Sequence, residues 1–102
     1  MIIPRGTTPS VQYVFNTVNV SEIVVAYLTI EQNGTLITEK DLTTADVGEK
    51  TLTWKLTQVE TLKIKDKIPI RVQVRYKLSD GSAFDSLITT CSPYEILKEG
   101  VI

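Results

Sequence analysis

Between Ile68 and Lys77, apolar and polar residues alternate without a break. Ile68, Ile70, Val72, Val74 and Tyr76 occupy one set of positions, and Pro69, Arg71, Gln73, Arg75 and Lys77 the other. Successive side chains of a strand point to opposite faces, so an extended chain here has one greasy face and one wet face. Wound as a helix, the same residues would scatter apolar groups around the whole circumference and leave no stripe to bury. The pattern predicts a half-buried antiparallel strand, and its apolar face needs a second layer to cover it.

The rest of the chain supplies the material for that layer. Pro4, Gly6 and Pro9 make residues 1–9 an extended lead-in. Val11, Tyr13 and Phe15 alternate in a strand near 10–16, and Ile23 to Glu31 is the most apolar run. In that run Val24, Ala26, Leu28 and Ile30 make the better core face, leaving Val25, Tyr27, Thr29 and Glu31 outside. Asn33-Gly34 is the dipeptide of a type I′ hairpin, which needs positive φ at both central positions. A plain two-residue loop there sets Ile30 opposite Ile37, Thr29 opposite Thr38, and Tyr27 opposite Lys40 on the outer side.

Leu42 to Lys50 reads as a loop, and Thr51 to Leu56 as a strand with Leu52, Trp54 and Leu56 turned in. Thr57 followed three positions later by Glu60 has the spacing of a capping box and predicts one helical turn over 57–62. Ser79-Asp80-Gly81-Ser82 makes a second hairpin with two possible registers. A two-residue turn would pair Val74 with Leu87. A three-residue loop with Gly81 as the bulge residue would pair Tyr76 with Phe84 and Val72 with Ile88, and is preferred because it buries two large apolar residues. Tyr94 to Leu97 makes a short last strand or tail, with 98–102 fraying.

Together these features predict an all-β fold: one domain over 1–102, an immunoglobulin-like antiparallel β-sandwich or small barrel of about six or seven strands with turn signals every 8–12 residues. The Cys…Trp…Cys spacing of antibody domains is absent, since Cys91 is the single cysteine.

Composition narrows function. Histidine is missing altogether, which removes imidazole acid–base catalysis, the common nucleophilic triads and most zinc sites. Cys91 reads as a small residue at the end of a strand rather than a nucleophile. Glu39, Asp41, Asp46 and Glu49 gather around one loop, but not with EF-hand spacing, and read as solvated acids. Glycines sit singly in turns, with neither a phosphate loop nor a dinucleotide fingerprint. The formal net charge of -1 supplies no global field toward nucleic acid or acidic membranes. No run reaches the ~20 apolar residues of a membrane span, and the first residues lack the apolar core of a signal peptide. These readings imply a non-enzyme without cofactor, metal or small-molecule substrate, made in the cytoplasm.

What remains is surface. Arg71, Arg75 and Lys77 form a basic row on the outer side of the alternating strand, with Lys63, Lys65 and Lys67 toward its start. Tyr27 is the outward aromatic on a neighbouring hairpin. Arg5 in the lead-in joins Arg71, Arg75 and Lys77 as a candidate protein-contact residue. A carbohydrate-binding module is the alternative, and it calls for two or more exposed aromatics along one groove.

Three short segments carry a family likeness. Ile3-Pro4-Arg5-Gly6-Thr7 precedes the first strand, Val20-Ser21-Glu22-Ile23 leads into the apolar strand that ends at Asn33-Gly34, and Leu56-Thr57-Gln58-Val59-Glu60-Thr61 precedes the long alternating strand. In this order, with the R-G-T start and the L-T-x-x-E-T segment, the chain resembles the immunoglobulin-like N-terminal domain of phage baseplate upper proteins and of prophage relatives in low-GC Gram-positive bacteria. The resemblance implies a virion structural protein of the host cytoplasm and then the particle. Its partners would be other virion proteins or further copies of itself. In that family linkers and further modules follow the domain, whereas this chain stops at Ile102, which points to a small tail, head-decoration or accessory role.

Overall fold

The computed structural model describes residues 2–102. In chain order these form β1 (Ile2–Pro4), β2 (Ser10–Val14), β3 (Ile23–Gln32), β4 (Thr35–Asp41), β5 (Asp46–Val47), β6 (Thr51–Lys55), α1 (Gln58–Leu62), β7 (Ile70–Leu78), β8 (Ala83–Asp85) and β9 (Thr89–Tyr94). Two sheets pack as a β-sandwich. The larger has the order β1-β9-β7-β3-β4, with β8 also on β7, and the smaller is β2-β6-β5. The nine strands exceed the six or seven expected because β1, β5 and β8 are two- or three-residue pieces, too short to show a period. β1 lies inside the lead-in and pairs with β9 in parallel, so the first and last strands of the domain close one edge together.

The alternating stretch becomes β7, the strand that β3, β8 and β9 all pair with. Ile70, Val72 and Val74 are buried, and they meet Ala26, Leu28 and Ile30 of β3 from the same sheet. Val11, Leu52, Trp54 and Leu56 close the core from the other layer. Trp54 is wholly buried, and its Nε1 donates to the Asp41 carbonyl at 2.9 Å, so the indole carries no unpaired polar atom into the core. At one end the rings of Tyr13, Phe15, Tyr76 and Phe84 follow one another. Phe15 meets Tyr76 edge-on at 4.9 Å, and Phe84 stacks on Tyr76 at 5.5 Å.

Two β-bulges and one strand break correct the simple registers. At the start of β3 the pairing with β7 slips at Val24, which turns out to 51% exposure while Ile23 takes the inner place. The Asn33-Gly34 turn has positive φ at both positions, as a type I′ turn requires. One residue is inserted in β4, however, so Ile30 faces Thr38 instead of Ile37, Thr29 faces Glu39, and Tyr27 faces Asp41. The insertion moves Lys40 off the outer face and opposite Leu28. Both Thr38 and Lys40 then reach Glu60 of α1, at 2.6 and 3.0 Å. The second hairpin has the three-residue loop: Gly81 sits at φ 93, and Tyr76 pairs with Phe84. Past Asp85 the strand breaks, because the Ser86 hydroxyl accepts the Val74 N–H at 2.9 Å in place of a backbone carbonyl. Val72 therefore pairs with Thr89, and Ile88 is not on the buried face; Leu87 stands 90% exposed and Ile88 47%.

Helix α1 follows its sequence signal. Thr57 accepts from the Glu60 N–H, and the Glu60 carboxylate accepts from the Thr57 N–H, which satisfies two otherwise orphaned donors. Burial pushes the Glu60 carboxyl up, but hydrogen bonds from Thr38, the Thr57 N–H and Lys40 outweigh it and hold its pKa at about 2. A carboxylate with a lowered folded pKa stabilises the fold above its ordinary value of 4.5 and loses that contribution as pH falls toward 2. Acid titration of stability by circular dichroism should show a loss of about 1–3 kcal/mol over this window, and Glu60→Gln should flatten it. Trp54→Phe keeps most of the ring but removes the indole N–H, leaving the Asp41 carbonyl only the Thr44 hydroxyl at 3.0 Å. We expect it to cost about 1–3 kcal/mol in urea denaturation, against about 3–5 kcal/mol for Trp54→Ala.

Candidate interaction surface

The outer face of the larger sheet is built by register. Cross-strand rows run Leu36–Glu31–Arg71, Glu39–Thr29–Gln73, Asp41–Tyr27–Arg75–Asp85 and Val25–Lys77–Ala83. The β4 bulge supplies part of this pattern, since it puts Glu39 and Asp41, not Thr38 and Lys40, on the outside. Arg71, Arg75 and Lys77 do share one face, but it is not a basic one. Arg71 reaches Glu31 at 3.1 Å and Arg75 reaches Asp85 at 3.0 Å, while Lys77 has no ion-pair partner among the described residues. Exposed pairs such as these contribute about 0–1 kcal/mol to stability, so they set the pattern of charge more than they hold the fold.

Two shallow depressions of about 200 Å³ each lie on this face. The first involves Val25, Tyr27, Arg75, Lys77 and Ala83. The second involves Thr29, Glu31, Arg71, Gln73 and Ile88. Tyr27, which lines the first, is 44% exposed, an amphipathic ring in a field of alternating charges. Leu36 and Ile88 add apolar area toward the margins, Ile88 standing outside the core that its expected pairing with Val72 implies.

Arg5 lies elsewhere and does a different job. Its guanidinium pairs with Glu99 at 2.8 Å and donates to the carbonyls of Leu62, at 3.2 Å, and Ile64. A cation on the last carbonyls of a helix satisfies acceptors that the helix leaves open. Two residues on, the Thr7 N–H donates to the Thr61 hydroxyl at 3.0 Å, and that hydroxyl donates to the Thr7 carbonyl at 2.8 Å. The R-G-T and L-T-x-x-E-T segments are thus two sides of one joint between the lead-in and α1. The lysines of the 63–67 turn are likewise structured by backbone: Gln32, 4% exposed, accepts from the Lys65 N–H and donates to the Lys65 and Ile68 carbonyls. The tail at 98–102 touches the body through Glu99 and through Ile102, whose N–H donates to Gln58 at 2.8 Å.

Other candidate groups are absorbed by the fold. Cys91 is buried opposite Ile70, and desolvation pushes its thiol up, away from the thiolate a nucleophile needs. Asp41 accepts from the Thr43 hydroxyl and N–H, which draws its carboxyl below the usual range. Among the described residues no group of three or more Cys, Asp or Glu side chains is placed to hold a metal ion, and no helix is long and apolar enough to cross a membrane.

The fold and this face define an all-β sandwich with a broad, charge-patterned outer sheet. Comparison with protein-family models, with curated protein sequences and with solved structures finds no match.

The two groups of cations should separate in the laboratory. Arg5→Ala removes a partly buried ion pair and bonds to two carbonyls, and should lower stability by about 1–3 kcal/mol. Arg71→Ala, Arg75→Ala and Lys77→Ala should each stay within about 0.5 kcal/mol of the parent in urea melts.

Proposed function

We propose that this chain is a structural protein of a phage or prophage particle, a baseplate, tail or accessory module, that works through protein–protein contacts and catalyses nothing. The observation that carries the reading is the outer face of β4-β3-β7-β8. It is an open sheet surface on which Tyr27 and the two arginines are interspersed with acids and flanked by Val25, Leu36 and Ile88. Tyrosine and arginine dominate the energetics of protein interfaces, because both bring large contact area with a polar tip that remains bonded after desolvation. Paired charges give such a face register and selectivity more than raw affinity. Lys77, with no acid beside it, is where a partner's carboxylate fits.

The resemblance of the R-G-T and L-T-x-x-E-T segments to the domain that attaches baseplate arms supports the virion setting. On this reading the partners are other virion proteins or further copies of the chain, and no nucleic acid, lipid or small substrate is involved. The test is mass spectrometry of particles purified from an induced lysogen that carries the gene. The chain should co-purify in fixed ratio to tail proteins, and a Tyr27→Ala/Arg75→Ala variant, folded by circular dichroism, should be incorporated at least tenfold less. Particles that lack the chain would overturn the assignment.

A further inference from the structure

β2 is an edge strand whose free side has been left bare. The Leu56 N–H bonds to the Pro9 carbonyl and the Phe15 N–H to the Lys50 carbonyl, both at 2.8 Å. In an antiparallel pair the backbone groups of alternate residues point toward and away from the partner. Residues 9, 11, 13 and 15 therefore face β6, and the N–H and C=O groups of Ser10, Gln12 and Val14 point away from it. No strand pairs with that side, and these groups have no hydrogen-bond partner among the described residues.

Proteins protect such edges with charges, proline, bulges or a covering element. The other edges of this molecule show those devices. β4 carries Glu39, Lys40 and Asp41, a bulge and contacts from α1; β1 is three residues long and ends in Pro4; β5 is two residues long. β2 has none of them, and no charged residue occurs anywhere from Gly6 to Ser21.

The space beside this edge is a groove of about 300 Å³, the size at which ligand-holding clefts begin. Its floor is Val72, Gln73 and Val74 of β7, laid open where β8 and β9 are interrupted. Val11, Gln12 and Tyr13 form one wall; Ser86, Leu87 and Thr89 form the other. Not one of these residues is charged, so a charged side chain entering here would be desolvated without a counter-ion. Leu87, at 90% exposure, offers an apolar flank that nothing in the monomer uses.

The geometry points to this groove as a strand-addition site for an extended, uncharged segment of another protein. That segment would run along β2, bond to Ser10, Gln12 and Val14, and turn aliphatic side chains inward against Val11, Val72, Val74 and Leu87. Main-chain bonds supply affinity in this mode, and the side-chain slots supply selectivity. A second copy is the competing occupant. No charged residue of the chain lines this groove to steer a twin into register, and the titration below separates a second copy from a foreign segment. The inference uses a surface distinct from the outer face, and neither depends on the other.

The test is an amide NMR titration of the folded protein with an acetylated and amidated Thr-Val-Ser-Ile-Thr peptide, a sequence the chain itself does not contain. A control peptide carries lysine at its second and fourth positions. Saturable shifts confined to Ser10, Gln12, Val14 and the Leu87 region are expected with the first peptide, and at least tenfold weaker binding with the second. Gln12→Pro removes one outward N–H where an edge strand tolerates proline, and should abolish the shifts while the rest of the spectrum persists. Should that variant misfold, Leu87→Asp places a charge on the exposed rim and should weaken binding at least tenfold. Absence of saturation at millimolar peptide, equal binding of the control, or shifts on the outer face would overturn the inference. So would concentration-dependent protection of the three edge amides without peptide, which would assign the edge to a second copy.

Discussion

The structure depends most on the way Trp54 is received. A sandwich of this size has one core, and the largest side chain in it brings a polar N–H into the driest place in the molecule. That N–H is satisfied by the carbonyl of Asp41, the last residue of an edge strand in the opposite sheet. The smaller sheet is thereby tied to the far edge of the larger one as well as packed on its middle. The carbonyl is free because the chain leaves β4 there, and the Asp41 side chain turns back to cap the short helical turn at Leu42–Thr44. One residue serves both layers: its backbone closes the core while its carboxylate directs the chain toward β5.

The β4 bulge is the second half of the same design. A regular hairpin would hold Lys40 on the outer face and leave Glu60 with only the Thr57 N–H of its own capping box to bond. By inserting one residue the chain brings Thr38 and Lys40 inward to Glu60 while Glu39 and Asp41 turn out to meet Thr29 and Tyr27. The helix lock and the acidic half of the outer face therefore come from one local irregularity. Bulges re-aim side chains in this way, and this one exchanges a lysine for two acids beside the arginine row.

Much of this was legible in the residues and some was not. β7, β3 and β6 showed themselves because their alternation is long enough to exceed chance, and α1 because a capping box names both of its bonds. The turn at Asn33-Gly34 was legible from two residues, since few others tolerate its backbone. The register beyond each turn was not. A bulge is decided by whether a hydroxyl such as that of Ser86 makes a better acceptor for Val74 than the next carbonyl does, a contest between groups far apart in sequence. Hence Ile88 and Val24, read as core, lie outside. The bonds of Arg5 were hidden for a related reason: an arginine in a lead-in gives no sign that helix carbonyls will fold against it. The surface row, by contrast, was visible as positions but not as charge, because Glu31 and Asp85 reach it from other strands.

That last point bears on what the motifs mean. The R-G-T and L-T-x-x-E-T segments meet each other through Arg5, Thr7, Thr61 and the cap of α1. They encode how the lead-in docks on the helix, and so speak to architecture and not to what the protein touches. Contact chemistry has to be sought where the fold has no use for its residues. Two regions meet that condition and differ in kind. The outer sheet presents side chains whose charges are already balanced, which favours a partner with a matching pattern and tolerates salt poorly. The β2 edge presents backbone groups in an uncharged setting, which favours any chain able to lie extended and is nearly indifferent to salt. A protein that assembles in stages gains from having both, one surface to choose the neighbour and one to hold it.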